Sequence, residues 1–278
     1  SMGAAAANIS ARNLKTRIAV EPLDAELAAL AVTLNDAFDR LERDFDKQAR
    51  FTADASHELR TPLTIILGHL DLALKQPDIP EPTRKSLEAC QRAARRMRSL
   101  TEQLLLLAKA DAGKLLAERQ AFDFSGAIEE SLELLAPLAE ERQVVVHEQL
   151  EPVEIFGDPA LLAQVAVNLI SNAIVHNRPG GTATVALSRE GAGAVLRVSD
   201  TGPGLPDDAL TRVFERFYRA DESRSRDDGG AGLGLAITRA IVELHGGHIQ
   251  VASETDLGTE FVVRLPGASG PADHAPPA

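Results

Sequence analysis

The chain has 278 residues, enough for about two domains with cores of their own. A formal net charge of −12, with one Tyr and no Trp, weighs against nucleic-acid binding, because phosphate backbones attract basic surfaces. Its single cysteine, Cys90, excludes an intramolecular disulfide and a thiolate metal cluster, and apolar helical neighbours make it a core-packing residue.

No run of about 18 apolar residues occurs, so no membrane-crossing helix is expected in this sequence. The leading SMGAAAA is too short and too uncharged for a signal peptide, and Ser1-Met2 reads as a cloning scar. Residues 267–278, GASGPADHAPPA, are expected to form a disordered tail.

From Asp24 to about Gly113 the chain reads as helix. Leu27, Leu30, Leu34, Ala37 and Leu41 step by three and four, the spacing of a coiled-coil seam, and Phe45 shifts that phase. The next apolar face is Phe51, Ala55, Leu59, Leu63, Ile66 and Leu70. QPDIPEP then forms a proline-punctuated turn. A second helix follows through Leu87, Cys90, Ala94, Met97, Thr101, Leu104 and Ala108, closing at Gly113 as a C-cap. Two such helices form an antiparallel hairpin. So much apolar seam makes a poor monomer, and two copies would make a four-helix bundle, so a homodimer is expected.

FTADASHELRTPL, residues 51–63, raises a local question. Pro62 lacks the N–H that would bond the carbonyl of Glu58, which weakens the helix one turn after His57. At about 100° per residue His57 lies roughly 170° from the apolar face, with Thr61 on its own side. His57 is therefore expected to point to water. Alone, that signals an ordinary surface histidine.

Beyond about Phe122 the period changes. A helix over 125–141 leads to a strand at 144–146. Asp158 reads as an N-cap with Pro159 at the first helical position, opening a helix to Asn177. Strands are expected at 182–188 and 194–199 around the turn GAG, then a glycine-dense charged loop, a helix over 233–245 and strands at 249–252 and 260–265. This mixture predicts an α/β sandwich, with the boundary between halves near 113–122.

Four segments of the second half carry chemistry. NLISNAIVHN puts Asn168 and Asn172 one helical turn apart among buried-looking neighbours, and amide oxygens suit Mg²⁺. SDTGPGL supplies Asp200, Gly202 and Gly204, and by itself is as much a turn signal as a ligand loop. GGAGLGL, with Gly230, Gly232, Leu233 and Gly234, opens a helix whose N–H groups and dipole would favour phosphate. Gly258-Thr259 precedes the last strand. His176 follows the asparagines and could line a pocket. His69, His147 and His245 read as packed or surface residues.

Order and spacing make the set specific. The chain resembles the sensor histidine kinases of bacterial two-component systems over roughly residues 9–266. NLISNA is similar to that family's N box, DTGPG to its first glycine box, FERFYR to its F box, GGAGLGL to its second glycine box and FTADASHELRTPL to its phosphoacceptor box. NISARNLKTRI resembles the end of a HAMP linker. The resemblance implies four parts. Residues 1–43 would hold the scar and the linker's C-terminal part, 44–115 a dimerisation and histidine phosphotransfer hairpin, 116–266 a catalytic ATP-binding domain of the GHKL (Bergerat) type, and 267–278 the tail. The expected fold is thus multidomain, an all-α hairpin forming a dimeric four-helix bundle and then an α/β sandwich.

By that resemblance ATP and Mg²⁺ are the cofactors. Asn172 would hold the metal, Asn168 would assist at the phosphates, and Asp200 would accept from the adenine amino group near Thr259. Tyr218 would lie by adenine or ribose, Arg219 would reach the terminal phosphate, and Phe214 and Phe217 would anchor a lid. His57 would be phosphorylated with Glu58 taking its proton, and Thr61 would position water when a partner is dephosphorylated. The implied partners are a second copy and a response-regulator receiver domain, with no nucleic acid. A membrane would be met only through a missing N-terminal region, making this the cytoplasmic portion of a plasma-membrane protein. Val175 and Ala231 depart from the family's frequent lysine and threonine. The rival readings are a GHKL-type ATPase clamp, which would need a glutamate where Asn168 stands, and a non-catalytic nucleotide-binding scaffold.

Overall fold

The computed structural model describes Arg17, residues 25–220 and residues 231–267. Side chains are described in all of these except residues 25 and 26 and, within 41–57, every position but Arg43, Lys47 and Ala55. The chain divides into two compact units, the first ending at Leu115 and the second beginning at Leu116.

The first unit is a hairpin of α1 (Ala25–Leu74) and α2 (Glu81–Asp111). Helix α1 runs through Pro62. Its internal contacts rest on Leu63 and Leu67 of α1 and on Ala94, Leu105, Leu107 and Ala108 of α2, all buried. The expected face of α1 is therefore split. Leu63 turns inward with Leu67, a residue outside the expected set, while Leu59 and Ile66 are exposed in the single chain, as is Met97 of α2. Cys90 is also exposed, contrary to its expected place in a core. Helix α2 ends as its glycine signals. Gly113 adopts φ +62°, its N–H donates to Ala110 O at 3.0 Å, and the next N–H, on Lys114, donates to Lys109 O at 2.8 Å. These paired bonds satisfy carbonyls the helix would leave open.

The second unit comprises β1 (Gln120–Asp123), α3 (Phe124–Arg142), β2 (Val145–Leu150), β3 (Glu154–Gly157), α4 (Pro159–Val175), β4 (Thr182–Glu190), β5 (Gly193–Asp200), the short α5 (Asp207–Leu210), α6 (Gly234–Leu244), β6 (His248–Glu254) and β7 (Gly258–Leu265). Five strands form one sheet in the order β2-β4-β5-β7-β6, parallel at β2–β4 and antiparallel elsewhere. Strands β1 and β3 pair separately as a two-stranded antiparallel ribbon that sequence periodicity did not reveal.

Helices α3, α4 and α6 pack together with the sheet. Strand β4 alternates, burying Ala183, Val185 and Leu187, as a sheet with one covered face must. Helix α4 is the centre of the core. Leu162, Val165, Ala166, Leu169, Ile170, Ala173 and Ile174 are all buried, the pattern of a helix enclosed on several sides. Its start follows the sequence signal, since Asp158 Oδ1 accepts from the N–H groups of Ala160 and Leu161 at 3.1 Å each, with Pro159 in the first turn.

Candidate nucleotide site

The polar residues of α4 break its apolar pattern along one line. Asn168 is half-buried, and its Nδ2 donates to Gly234 O at 3.2 Å and to Thr238 Oγ1 at 3.4 Å. Both partners lie on the first turns of α6, so the amide fixes the glycine-opened end of that helix. Asn172, one turn further, is half-buried, and its side chain makes no hydrogen bond among the described residues. Such a group, neither solvated fully nor paired, is a ready ligand donor. His176 forms the C-cap of α4 and is exposed.

At that end of α4 lies the first glycine loop. Gly202 packs so closely that a Cβ there would sit 2.7 Å from His176 O. Asp200, at the end of β5, accepts from Gly202 N–H at 2.8 Å. Burial pushes its carboxyl above the ordinary 3.8, and hydrogen bonds from the N–H groups of Gly202 and Thr259 pull the other way. The chain also passes close to itself at Gly258, whose φ is +120°. A Cβ added there would lie 1.9 Å from Asp200 O, so no side chain fits. Gly204 approaches Glu254 O in the same cluster.

Ser253 ties this end together, a role no sequence signal announced. Its hydroxyl donates to Gly258 O at 2.7 Å, accepts from Leu205 N–H at 2.8 Å and lies 2.9 Å from Thr259 Oγ1. Thr259 is buried.

The other glycine turn is braced by the FERFYR segment. Phe217 N–H donates to Gly232 O at 2.9 Å, and Gly232, at φ +69°, lies so near that a Cβ would be 2.7 Å from Tyr218 O. Leu233 is buried at the start of α6. Phe214 packs edge-on against Phe261 of β7, with ring centroids 6.4 Å apart. Phe217, expected as a second anchor, is 61% exposed; its backbone rather than its ring does the bracing. The Arg212 guanidinium stacks 4.5 Å from the centroid of the Tyr218 ring, which is half-buried. Arg219 follows, also half-buried. Gly230 lies outside the described residues.

Eight residues separate Asn168 from His176, so the points where the two glycine turns meet α4 lie about 12 Å apart along its axis. One end offers a partly buried carboxyl, the other a helix N-terminus opened by glycine, with an unpaired amide between them. That combination can grip a base at one end and anionic groups at the other.

In the hairpin, His57 lies on α1, with its ring outside the described side chains. Glu58 and Thr61 are exposed. Among the described residues no group of three or more His, Cys, Asp and Glu side chains is placed to hold a metal ion.

The pairing of a helical hairpin with this α/β unit defines a class. Residues 47–113 match the His Kinase A (phospho-acceptor) domain, and residues 157–269 match the histidine kinase-, DNA gyrase B-, and HSP90-like ATPase family. The chain is 44% identical over 217 residues to the probable sensor histidine kinase TcrY of Mycobacterium tuberculosis, covering 78% of this chain and 45% of that protein. It is 36% identical over 259 residues to the sensor protein CutS of Streptomyces coelicolor, covering 93% and 62%. It is 32% identical to the sensor histidine kinase CusS of Escherichia coli, covering 93% and 54%. Among solved structures, full-length ShkA in complex with AMPPNP superimposes with a TM-score of 0.67 at 29% identity, over 78% of this chain and 45% of that one. The Acinetobacter baumannii histidine kinase AdeS gives 0.56 at 25%, over 76% and 98%. The chain belongs to the bacterial two-component sensor histidine kinases. It spans about half the length of the curated relatives it matches.

Proposed function

We propose that this chain is the kinase core of a two-component sensor, binding ATP in the α/β unit and transferring its γ-phosphoryl group to His57. The observation that carries this reading is the alignment of Asn168, the unpaired Asn172 and both glycine turns along α4. The similarity to ShkA, solved with AMPPNP, supports it.

Asp200 is assigned the adenine amino group and Thr259 its surroundings, Tyr218 the ribose side, and Arg219 the terminal phosphate. Gly202, Gly204, Gly230, Gly232, Leu233 and Gly234 shape the walls. Asn172, with an amide oxygen that suits a hard cation, is assigned Mg²⁺, with Asn168 and His176 beside it. When bound, that ion would balance charge on the phosphates.

A ring nitrogen of His57 attacks the γ-phosphorus in line. The N–P bond forms, the bond to the bridging oxygen breaks, and ADP leaves. Neutral imidazole is the nucleophile near pH 7, and Glu58 orients the ring and receives its proton. The phosphoryl group then passes to an aspartate of a receiver domain, and Thr61 positions water when that aspartyl phosphate is hydrolysed. The hairpin pairs with a second copy, and the whole is the cytoplasmic part of a membrane-anchored sensor.

A clamp-type ATPase is disfavoured because an amide at position 168, already donating to Gly234 and Thr238, is no general base. The test is incubation with γ-labelled ATP beside a His57→Gln control. Acid-labile, alkali-stable label that disappears in the control is expected. ATP turnover without such label would overturn the reading.

A further inference from the structure

Helices α4 and α6 are tied at two places. At one, Asn168 donates to Gly234 O and Thr238 Oγ1; at the other, the N–H of Asp158 donates to His245 Nε2 at 3.0 Å. The pairing runs backwards along α6, so the two helices are antiparallel. Ten residues separate the ties on α4, and seven to eleven on α6, from Thr238 or Gly234 to His245, spans of about 15 Å and about 10–16 Å. Spans of similar length clamped at both ends fix the sliding register of α6, and with it the glycine turn at Gly232–Gly234.

The far clamp is built for a neutral ring. His245 is 6% exposed. Nε2 accepts a backbone N–H, so the proton sits on Nδ1, which donates to Ile241 O at 2.8 Å. Gly157 gives the ring its room: a Cβ there would lie 3.1 Å from the ring Cδ2 and 2.6 Å from Leu162 Cδ1. Two charged groups face the ring. The Asp158 carboxylate caps α4 and accepts from Glu118 N–H at 2.9 Å, and the Arg119 guanidinium donates to Leu244 O at 2.5 Å. Burial holds the ring below its usual 6.5; the bond to Ile241 opposes this, Arg119 adds to it and Asp158 opposes it. A second proton would remove the lone pair that Asp158 N–H needs.

We infer that His245 is a positioning residue for the nucleotide site, its neutral ring locking α6 in register on α4, so that protonation releases the lock and weakens nucleotide binding. The inference rests on the nucleotide reading above.

The test is calorimetric titration of the full chain with ATP and magnesium chloride from about pH 8 to about pH 5.5, in the wild type, His245→Gln and His245→Phe. Glutamine offers an amide oxygen near the place of Nε2 and does not titrate, so its comparison with the wild type cancels the nucleotide's own protonation. Wild-type affinity should fall at least about fivefold relative to His245→Gln across that range, and His245→Phe, folded by its melting curve, should bind at least about fivefold more weakly at pH 8. Parallel pH profiles for the wild type and His245→Gln overturn the inference, even should His245→Phe fail to fold. ATP binding absent from the wild type at every pH sinks the nucleotide reading and this inference together.

Discussion

Asp200 shows what a partly buried carboxyl in the candidate site costs its own fold. Its folded-state carboxyl titrates above the ordinary 3.8, so in the window above 3.8 the native state holds more protons than the unfolded chain. Stability therefore declines as pH rises through the folded-state value, and at neutral pH the ionised carboxylate is a net burden of burial. Asp200→Asn keeps an oxygen for Gly202 N–H and removes the charge. The variant should melt a few degrees higher than the wild type without nucleotide at pH 7, with the gain shrinking near pH 4, while its ATP binding falls. Scanning calorimetry at both pH values and an ATP titration check the pair of outcomes. An unchanged melting point at pH 7 would contradict the burial argument. His245 has the opposite sign: its folded-state value lies below 6.5, so its contribution is present above 6.5 and is lost as pH falls below it.

Among the elements, α4 combines core and site. Ile170 is fully buried two residues before Asn172. Ile170→Ala should cost about 3 kcal/mol of unfolding free energy in urea, from lost transfer energy and a cavity. A loss well under about 1 kcal/mol would mean that the surroundings collapse to fill it. The start of α4 was legible because Asp158-Pro159 is a chemical signal local to two residues. The long strands were legible as apolar, β-branched runs between turns, and Gly113 by its place after the last apolar step. Strands β1 and β3 were not, because four residues each carry too little period, and their pairing depends on partners more than thirty positions apart. The outward ring of Phe217 was not legible, because the positive φ that accompanies it, with the N–H directed at Gly232, is invisible in composition. Cys90 and Leu67 show a related limit. Spacing by three and four identifies a stripe but cannot say which part of it meets the neighbouring helix and which part is left over. The candidate site's asparagines and glycine turns were legible as motifs, whereas Ser253 and Thr238, which bond to Gly258, Thr259 and Asn168, look like any hydroxyl in a strand or helix.

At the scale of the whole molecule, the exposed Leu59, Ile66 and Met97 are the portion of the stripe that the hairpin does not use itself. A second copy covering them would remove that apolar area from water. Leu59→Glu with Ile66→Glu should therefore convert a dimer to a monomer in sedimentation velocity, and should leave the melting of the α/β unit unchanged. A double variant that still sediments as a dimer would place the self-association elsewhere. No described helix is long and apolar enough to cross a membrane, although α1 has 50 residues, because charged side chains interrupt it throughout.

The paired bonds that close α2 at Gly113 have a mechanical result. Backbone torsion passes along a helix because each turn is stapled to the next, and here the staples fold back on themselves and stop. No helical ladder of hydrogen bonds continues from α2 beyond that point, so the stiffness that the ladder gives the rod ends with it.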